Sequence, residues 1–242
     1  MKPVTFVVLT SMRTGSNLLN SNLNQYSGVV CHGEAFNPAF VGLTPSYLTQ
    51  FGLARDDVLV RDADPEKFLE SILGLDAQAI GFHLFPGHNG EILRKMLLDP
   101  DIKKICLRRS LFQSFVSLEV AKKTQVWLVS NKGPSKPLTL EDKQIVFSVR
   151  EFERFKRSLD QFWSVVLRTL RQTDQKFFPI WYREVNDVKN LNRIAEFLGI
   201  SEKKAQLSQK LDKQNPEPLN QIVLNYPVMV KYAREQKLEH NL

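Results

Sequence analysis

Apolar positions along the chain fall into two rhythms. Short runs at Val4–Thr10, Ala79–Phe85, Lys103–Leu107 and Phe177–Trp181 predict buried strands. Between them apolar residues recur at helical spacing over Gly15–Tyr26, Pro65–Leu73, Glu91–Leu98, Leu111–Trp127 and Glu141–Arg171. A further amphipathic helix is expected over Asp187–Leu198, stopped by Gly199. A terminal helix over Leu219–Arg234 is announced by Pro216 and Pro218. Strands alternating with helices predict an α/β fold, a central parallel sheet flanked by helices.

No internal repeat or low-complexity tract divides the 242 residues, so a single domain over 1–242 is expected. Residues 130–138, SNKGPSKPL, have no apolar period and predict a mobile loop that could carry recognition. A net charge of +7 favours an acidic small molecule over nucleic acid, because the basic residues are scattered and no basic-aromatic interleaving appears. Cys31 and Cys106 lack disulfide-framework or metal-ligand spacing, and read as core thiols in a reducing compartment. The first ten residues lack signal-peptide features, and no apolar run approaches the ~18 residues that span a bilayer. The expectation is a cytoplasmic protein without stable membrane insertion and without a metal.

The candidate chemistry begins where the first strand ends. A strand, a turn with one glycine and a helix leave backbone N–H groups pointing outward, a ready site for phosphate or sulfate. Arg13, Thr14, Gly15, Ser16 and Asn17 supply a fixed charge, amides and short donors. The nucleoside-triphosphate loop GxxxxGK[ST] is not matched, because the second glycine and the Lys-Ser/Thr pair are missing. The dinucleotide pattern GxGxxG fails for want of glycines. A second strand, Lys103–Leu107, leads into Arg108, Arg109 and a helix that carries Ser117. Eight helical residues rise about 12 Å, so Arg109 and Ser117 meet one phosphate only if a turn lies between them. A guanidinium placed there binds phosphate in bidentate fashion.

Taken together, RTGSNLL and LRRSLFQSFVSLEVAKKTQVW resemble the sulfotransferases that use 3′-phosphoadenosine-5′-phosphosulfate (PAPS), and most closely the bacterial Stf0/NodH type acting on carbohydrates. The resemblance runs from Val4 to about Tyr232. It implies the P-loop-like sulfotransferase architecture, with Arg13, Thr14, Gly15, Ser16 and Asn17 on the 5′-phosphosulfate and Arg109 with Ser117 on the 3′-phosphate. Asn17 stands where the family usually has threonine. Gln113, Ala121, Thr124 and Trp127 also match. HGEAFNP resembles the segment whose glutamate is the family's proposed base, which implies Glu34. The segment GFHLFP offers His83 as a second base, where the bacterial enzymes more often carry lysine. The block YREVNDVKNLNRIAEFLGI resembles a segment common to sulfotransferases, and LDKQNPEPLNQIVLNY adds Lys213 and Gln214 as nucleotide contacts. His88 and His240 read as loop and tail residues without a role.

The activity so implied is transfer of the sulfuryl group from PAPS to a hydroxyl, of carbohydrate or glycolipid type, releasing PAP; Arg13, Glu34 and His83 are its catalytic candidates. A homodimer is implied as well. Two other readings stay open from the residues themselves. One is a non-catalytic module that binds PAPS or PAP, keeping the phosphate residues without needing a base. The other is a P-loop-like nucleotide kinase, which the missing Gly-Lys-Ser/Thr disfavours.

Overall fold

A computed structural model describes residues 2–127, 138–208 and 217–242. In chain order the elements are β1 (Val4–Leu9), α1 (Ser16–Leu23), β2 (Val29–Cys31), α2 (Pro45–Gln50), α3 (Val58–Ala63), α4 (Pro65–Leu73) and β3 (Ala79–Leu84). Then come α5 (Gly90–Leu98), β4 (Lys103–Arg108), α6 (Leu111–Thr124), α7 (Leu140–Lys143), α8 (Val149–Gln172) and β5 (Phe177–Trp181). The last are α9 (Val188–Phe197), α10 (Leu219–Ile222) and α11 (Tyr226–Glu235). The described residues pack as two compact units: 2–11, 15–108 and 162–208 belong to one, and 12–14, 109–127, 138–161 and 217–242 belong to the other.

The first unit holds the sheet. Its five strands run in the order β2-β3-β1-β4-β5 and every pairing is parallel. Alternate residues face opposite sides, as the pleat requires. Val7, Leu9, Phe82, Leu84 and Cys106 enter one apolar layer with α4, α5 and the C-terminal part of α8. Phe6, Val8, Ile105, Leu107 and Ile180 enter the other, with α1 and α9. Both faces are therefore covered, and β1 and β3 read as almost unbroken apolar runs for that reason. β1 connects onward to β2 on one side of itself, whereas β4 connects to β5 on the other. The switch point of the topology thus lies at the carboxyl ends of β1 and β4, where open α/β sheets bind their ligands.

The second unit is helical and has its own core. Phe112 and Phe152 stack at 4.5 Å between ring centres, and Phe115, Phe147 and Tyr232 close around them. Asn225 clamps Phe147 by donating to its carbonyl at 3.0 Å and accepting from its N–H at 2.7 Å.

Several boundaries differ from the sequence expectation. The helix expected over Glu141–Arg171 is α7 and α8, separated by extended residues around Ile145, which bridges in parallel to Val223. The terminal helix is likewise two pieces, because Pro227 opens a new helix and cannot continue an old one. The helix at Leu111 ends at Thr124, where Gln125 turns left-handed at φ 57°. The short strand β2 is too brief to leave a readable pattern. Apart from Leu138, the loop expected at 130–138 lies outside the described residues, as do Lys213 and Gln214.

Gly81 in β3 shows how tightly the sheet is drawn. A Cβ there would lie 2.2 Å from the Phe6 carbonyl oxygen of its partner strand β1. Gly81→Ala is expected to cost about 1–3 kcal/mol by forcing the central pair apart, read as a lower urea midpoint at unchanged slope.

Candidate active site

β1 ends at Leu9, and Thr10 anchors the next step: its hydroxyl donates to the Leu107 carbonyl of β4 at 2.9 Å. The turn that follows is conformationally costly. Arg13 sits at φ 65°, a left-handed value worth about 1–2 kcal/mol of strain for a residue with a Cβ. Gly15 is also left-handed at φ 87° and forms the N-cap of α1 without a capping side chain. Its missing side chain has a second use, since a Cβ would lie 2.5 Å from the ring of Tyr182. Thr14 and Ser16 are buried and Asn17 is exposed. Strain held at a turn of this kind points to a site.

Within the helical unit, Arg13 Nε donates to Ser117 Oγ at 3.1 Å, and its Nη1 donates to the Trp127 carbonyl at 2.5 Å. Arg109 Nη1 donates to the Arg13 carbonyl at 2.8 Å. Ser110 caps α6 by accepting from the Gln113 N–H, so the chain does turn between Arg109 and the helix. Ser117 lies two turns further on, buried at 3% exposure. Residues 104 apart in the sequence are thus joined: the Arg13 guanidinium meets the Ser117 hydroxyl, and the Arg109 guanidinium meets the Arg13 backbone carbonyl. Sequence reasoning put Arg13 on one phosphate and Arg109 with Ser117 on another. The guanidinium of Arg13 also bonds Ser117, a residue of the second of these segments.

The sheet unit carries the second group of candidates. Glu34 follows β2 by three residues, and its side chain is 18% exposed. Asn37 Nδ2 donates to its Oε2 at 2.6 Å, and His88 Nε2 lies 3.5 Å from the same oxygen. Burial pushes the carboxyl upward, but the His88 and Asn37 contacts and the nearby His83 outweigh it, so Glu34 is held below its ordinary value. It is ionised at neutral pH. His83, in the fully buried β3, is 0% exposed. Its Nε2 lies 3.7 Å from Cys31 Sγ, and its Nδ1 has no partner among the described residues. Burial drops its pKa to about 4 against the opposing charge of Glu34, which leaves a neutral imidazole.

His88 is the residue that sequence reading missed. Expected to be an idle loop histidine, it is packed against Phe85 with its side chain 4% exposed, and it pairs with Glu34. Its place just past the carboxyl end of β3 was the available signal, because parallel sheets build sites at that edge. His240, in the 3₁₀ turn Glu239–Asn241, contacts Asn241. Both cysteines are buried and free. Among the described residues no cluster of His, Cys, Asp or Glu is arranged to hold a metal, and no helix is long and apolar enough to cross a membrane.

The sequence matches no protein-family model and no curated protein. Among solved structures, the chain is similar to a sulfotransferase from Alicyclobacillus acidocaldarius, at 16% identity over 98% of this chain and 94% of that one, with a TM-score of 0.47. It is similar also to a sulfotransferase domain from the curacin biosynthetic pathway, at 15% identity over 91% of this chain and 82% of that one, with a TM-score of 0.49. At that distance neither likeness fixes what this chain does.

The buried histidines set a pH dependence. His32 stands edge-on to Tyr47 at 4.9 Å, and neither ring nitrogen reaches a partner in hydrogen-bonding geometry, although the Ile72 backbone lies close enough to oppose its shift weakly. Burial drops His32, like His83, to about 4. Between pH 6.5 and 4 the unfolded chain therefore binds protons that the folded chain refuses. Stability is full above 6.5 and is lost on descent toward 4, by about 1.4 kcal/mol per histidine per pH unit. His32→Phe keeps the ring contact and is expected to remove roughly half of that slope, measured by urea unfolding at pH 7 and pH 5.

Proposed function

We propose that the protein is a PAPS-dependent sulfotransferase acting on a hydroxyl acceptor of carbohydrate or glycolipid type. The observation that carries this reading is the direct union of the two expected phosphate-binding segments. Arg13 bonds Ser117, and Arg109 bonds the Arg13 carbonyl. A pair of guanidiniums with a buried hydroxyl suits a phosphate, and the first turn of α1 adds N–H groups suited to a second anion. A donor with phosphate groups at its 5′ and 3′ ends needs two such places.

In the reaction, the acceptor oxygen forms a bond to sulfur while the sulfur–oxygen bond to the 5′-phosphate breaks. The electron pair of that bond stays on the phosphate, and the acceptor proton must go to a base. Donors set in advance toward the phosphate stabilise the charge as it grows. The amides of Gly15, Ser16 and Asn17 and the Thr14 hydroxyl serve the 5′ end. Arg109 and Ser117 serve the 3′-phosphate, with Arg13 tying the two segments together. Glu34 takes the proton: it is ionised, partly exposed and oriented by Asn37 and His88. A carboxylate held low is a weak base, so its main work is to align the hydroxyl and accept the proton late. His83 has no exposed surface with which to touch an acceptor, and its role is that of a neutral neighbour packed beneath the carboxylate. The protein is further proposed to work in the cytoplasm, without nucleic acid, as a homodimer.

Calorimetry with PAP and ADP tests the donor assignment. The wild type should bind PAP at least about 10-fold more tightly than ADP, the value of a charge-assisted contact to the 3′-phosphate. Arg109→Ala should abolish that preference while leaving ADP affinity nearly unchanged. Equal affinities in the wild type, or binding of neither, would remove the reading.

A further inference from the structure

Glu34 lies on an irregular loop, yet its carboxylate is placed by two specific contacts, Asn37 Nδ2 at 2.6 Å and His88 Nε2 at 3.5 Å. The loop has no ladder of its own to fix it; short turns such as Asn37 N–H to the Glu34 carbonyl at 2.9 Å and Phe40 N–H to the Asn37 carbonyl at 3.3 Å run through it. What gathers it is a side chain from α3. Arg61 is 2% exposed, and its Nη1 donates to the carbonyls of Ala35 at 3.1 Å, Asn37 at 2.8 Å and Phe40 at 3.1 Å. The other side of the guanidinium is locked by Asp62, with Nε to Oδ1 at 2.8 Å and Nη2 to Oδ2 at 2.9 Å. From above, Gly42 closes on the Glu34 backbone so tightly that a Cβ would lie 2.4 Å from its carbonyl oxygen.

We infer that Arg61 is a positioning residue: held by Asp62, its planar fork draws the Ala35, Asn37 and Phe40 carbonyls together and so sets the Asn37 amide and the Glu34 carboxylate in register with His88. A buried guanidinium carries a high desolvation cost and is tolerated only where its donors are matched. Here the matches go to the one loop that bears the proposed base. Lysine offers a point charge without the fork, so it cannot hold Asp62 in bidentate fashion while reaching three carbonyls. The groups facing Glu34 are His88 from the turn after β3, His83 from β3 and the Asn37 amide from its own loop. Loosening the loop withdraws Asn37 and His88 from the carboxylate and leaves burial to act alone.

The role assigned to Arg61 rests on the reading of Glu34 as the base, but its test does not need turnover. The Glu34 carboxyl titration is followed in the full chain by ¹³C NMR, assigned with Glu34→Gln, in the wild type, Arg61→Lys and Asp62→Asn. In Arg61→Lys the titration should move upward by about one pH unit or more, with amide exchange quickened over 35–41 and unchanged in β3. Should Arg61→Lys fail to fold, Asp62→Asn decides by the same criterion, since it unlocks the fork from the other side. A folded variant with an unmoved Glu34 titration overturns the assignment. PAP affinity, measured alongside, separates the two failures: a wild type that ignores PAP refutes the sulfotransferase reading, and an unmoved titration refutes the role of Arg61.

Discussion

The pairing of β1 with both β3 and β4 is the constraint on which the sheet unit depends. Val7, Val8 and Leu9 are fully buried and sandwiched between two parallel neighbours, and Gly81 allows the Phe6 backbone to approach without a side chain between them. With β1 fixed at the centre, the order β2-β3-β1-β4-β5 follows from two crossovers of opposite direction. The chain then leaves the sheet at the same edge after β1, β3 and β4. Those three departures lead to the strained turn at Arg13, to His88 and to Arg109. Arg13, His88 and Arg109 each follow a strand of the buried sheet within four positions.

Energy stored at those departures is small against the core but specific in where it falls. Arg13 and Gly15 both adopt left-handed backbone, yet only Gly15 does so without a Cβ. The carbonyl of Arg13 is compensated by Arg109 and its guanidinium by Ser117 and Trp127. Around Glu34 the same logic takes another form. A carboxylate whose titration burial pushes upward is held below its ordinary value because an amide and an imidazole meet it, and the loop bearing it is gathered by a buried guanidinium.

Much of this was legible in the sequence. The four longer strands were visible as apolar runs because both faces of a parallel sheet are covered. The turn at Arg13–Asn17 was visible because a strand running directly into a helix leaves an anion-seeking end, and Arg109 with Ser117 gained meaning from a resemblance rather than from spacing. What escaped had physical causes. β2 is three residues long, too short for a period. The break at Ile145 depends on its bridge to Val223, far along the chain, whereas the break before Tyr226 had a local signal in Pro227 that the helical spacing masked. The partnership of His88 with Glu34, and the hold of Arg61 on three carbonyls, are tertiary contacts across 54 and up to 26 positions; no local pattern records them.

The proposed function rests on Arg109 and Ser117 taking the 3′-phosphate of the donor. A crystal structure of the protein with PAP tests it most directly. The account predicts the 3′-phosphate within hydrogen-bonding distance of Arg109 and Ser117. PAP bound elsewhere, or bound with its 3′-phosphate touching neither residue, would contradict it.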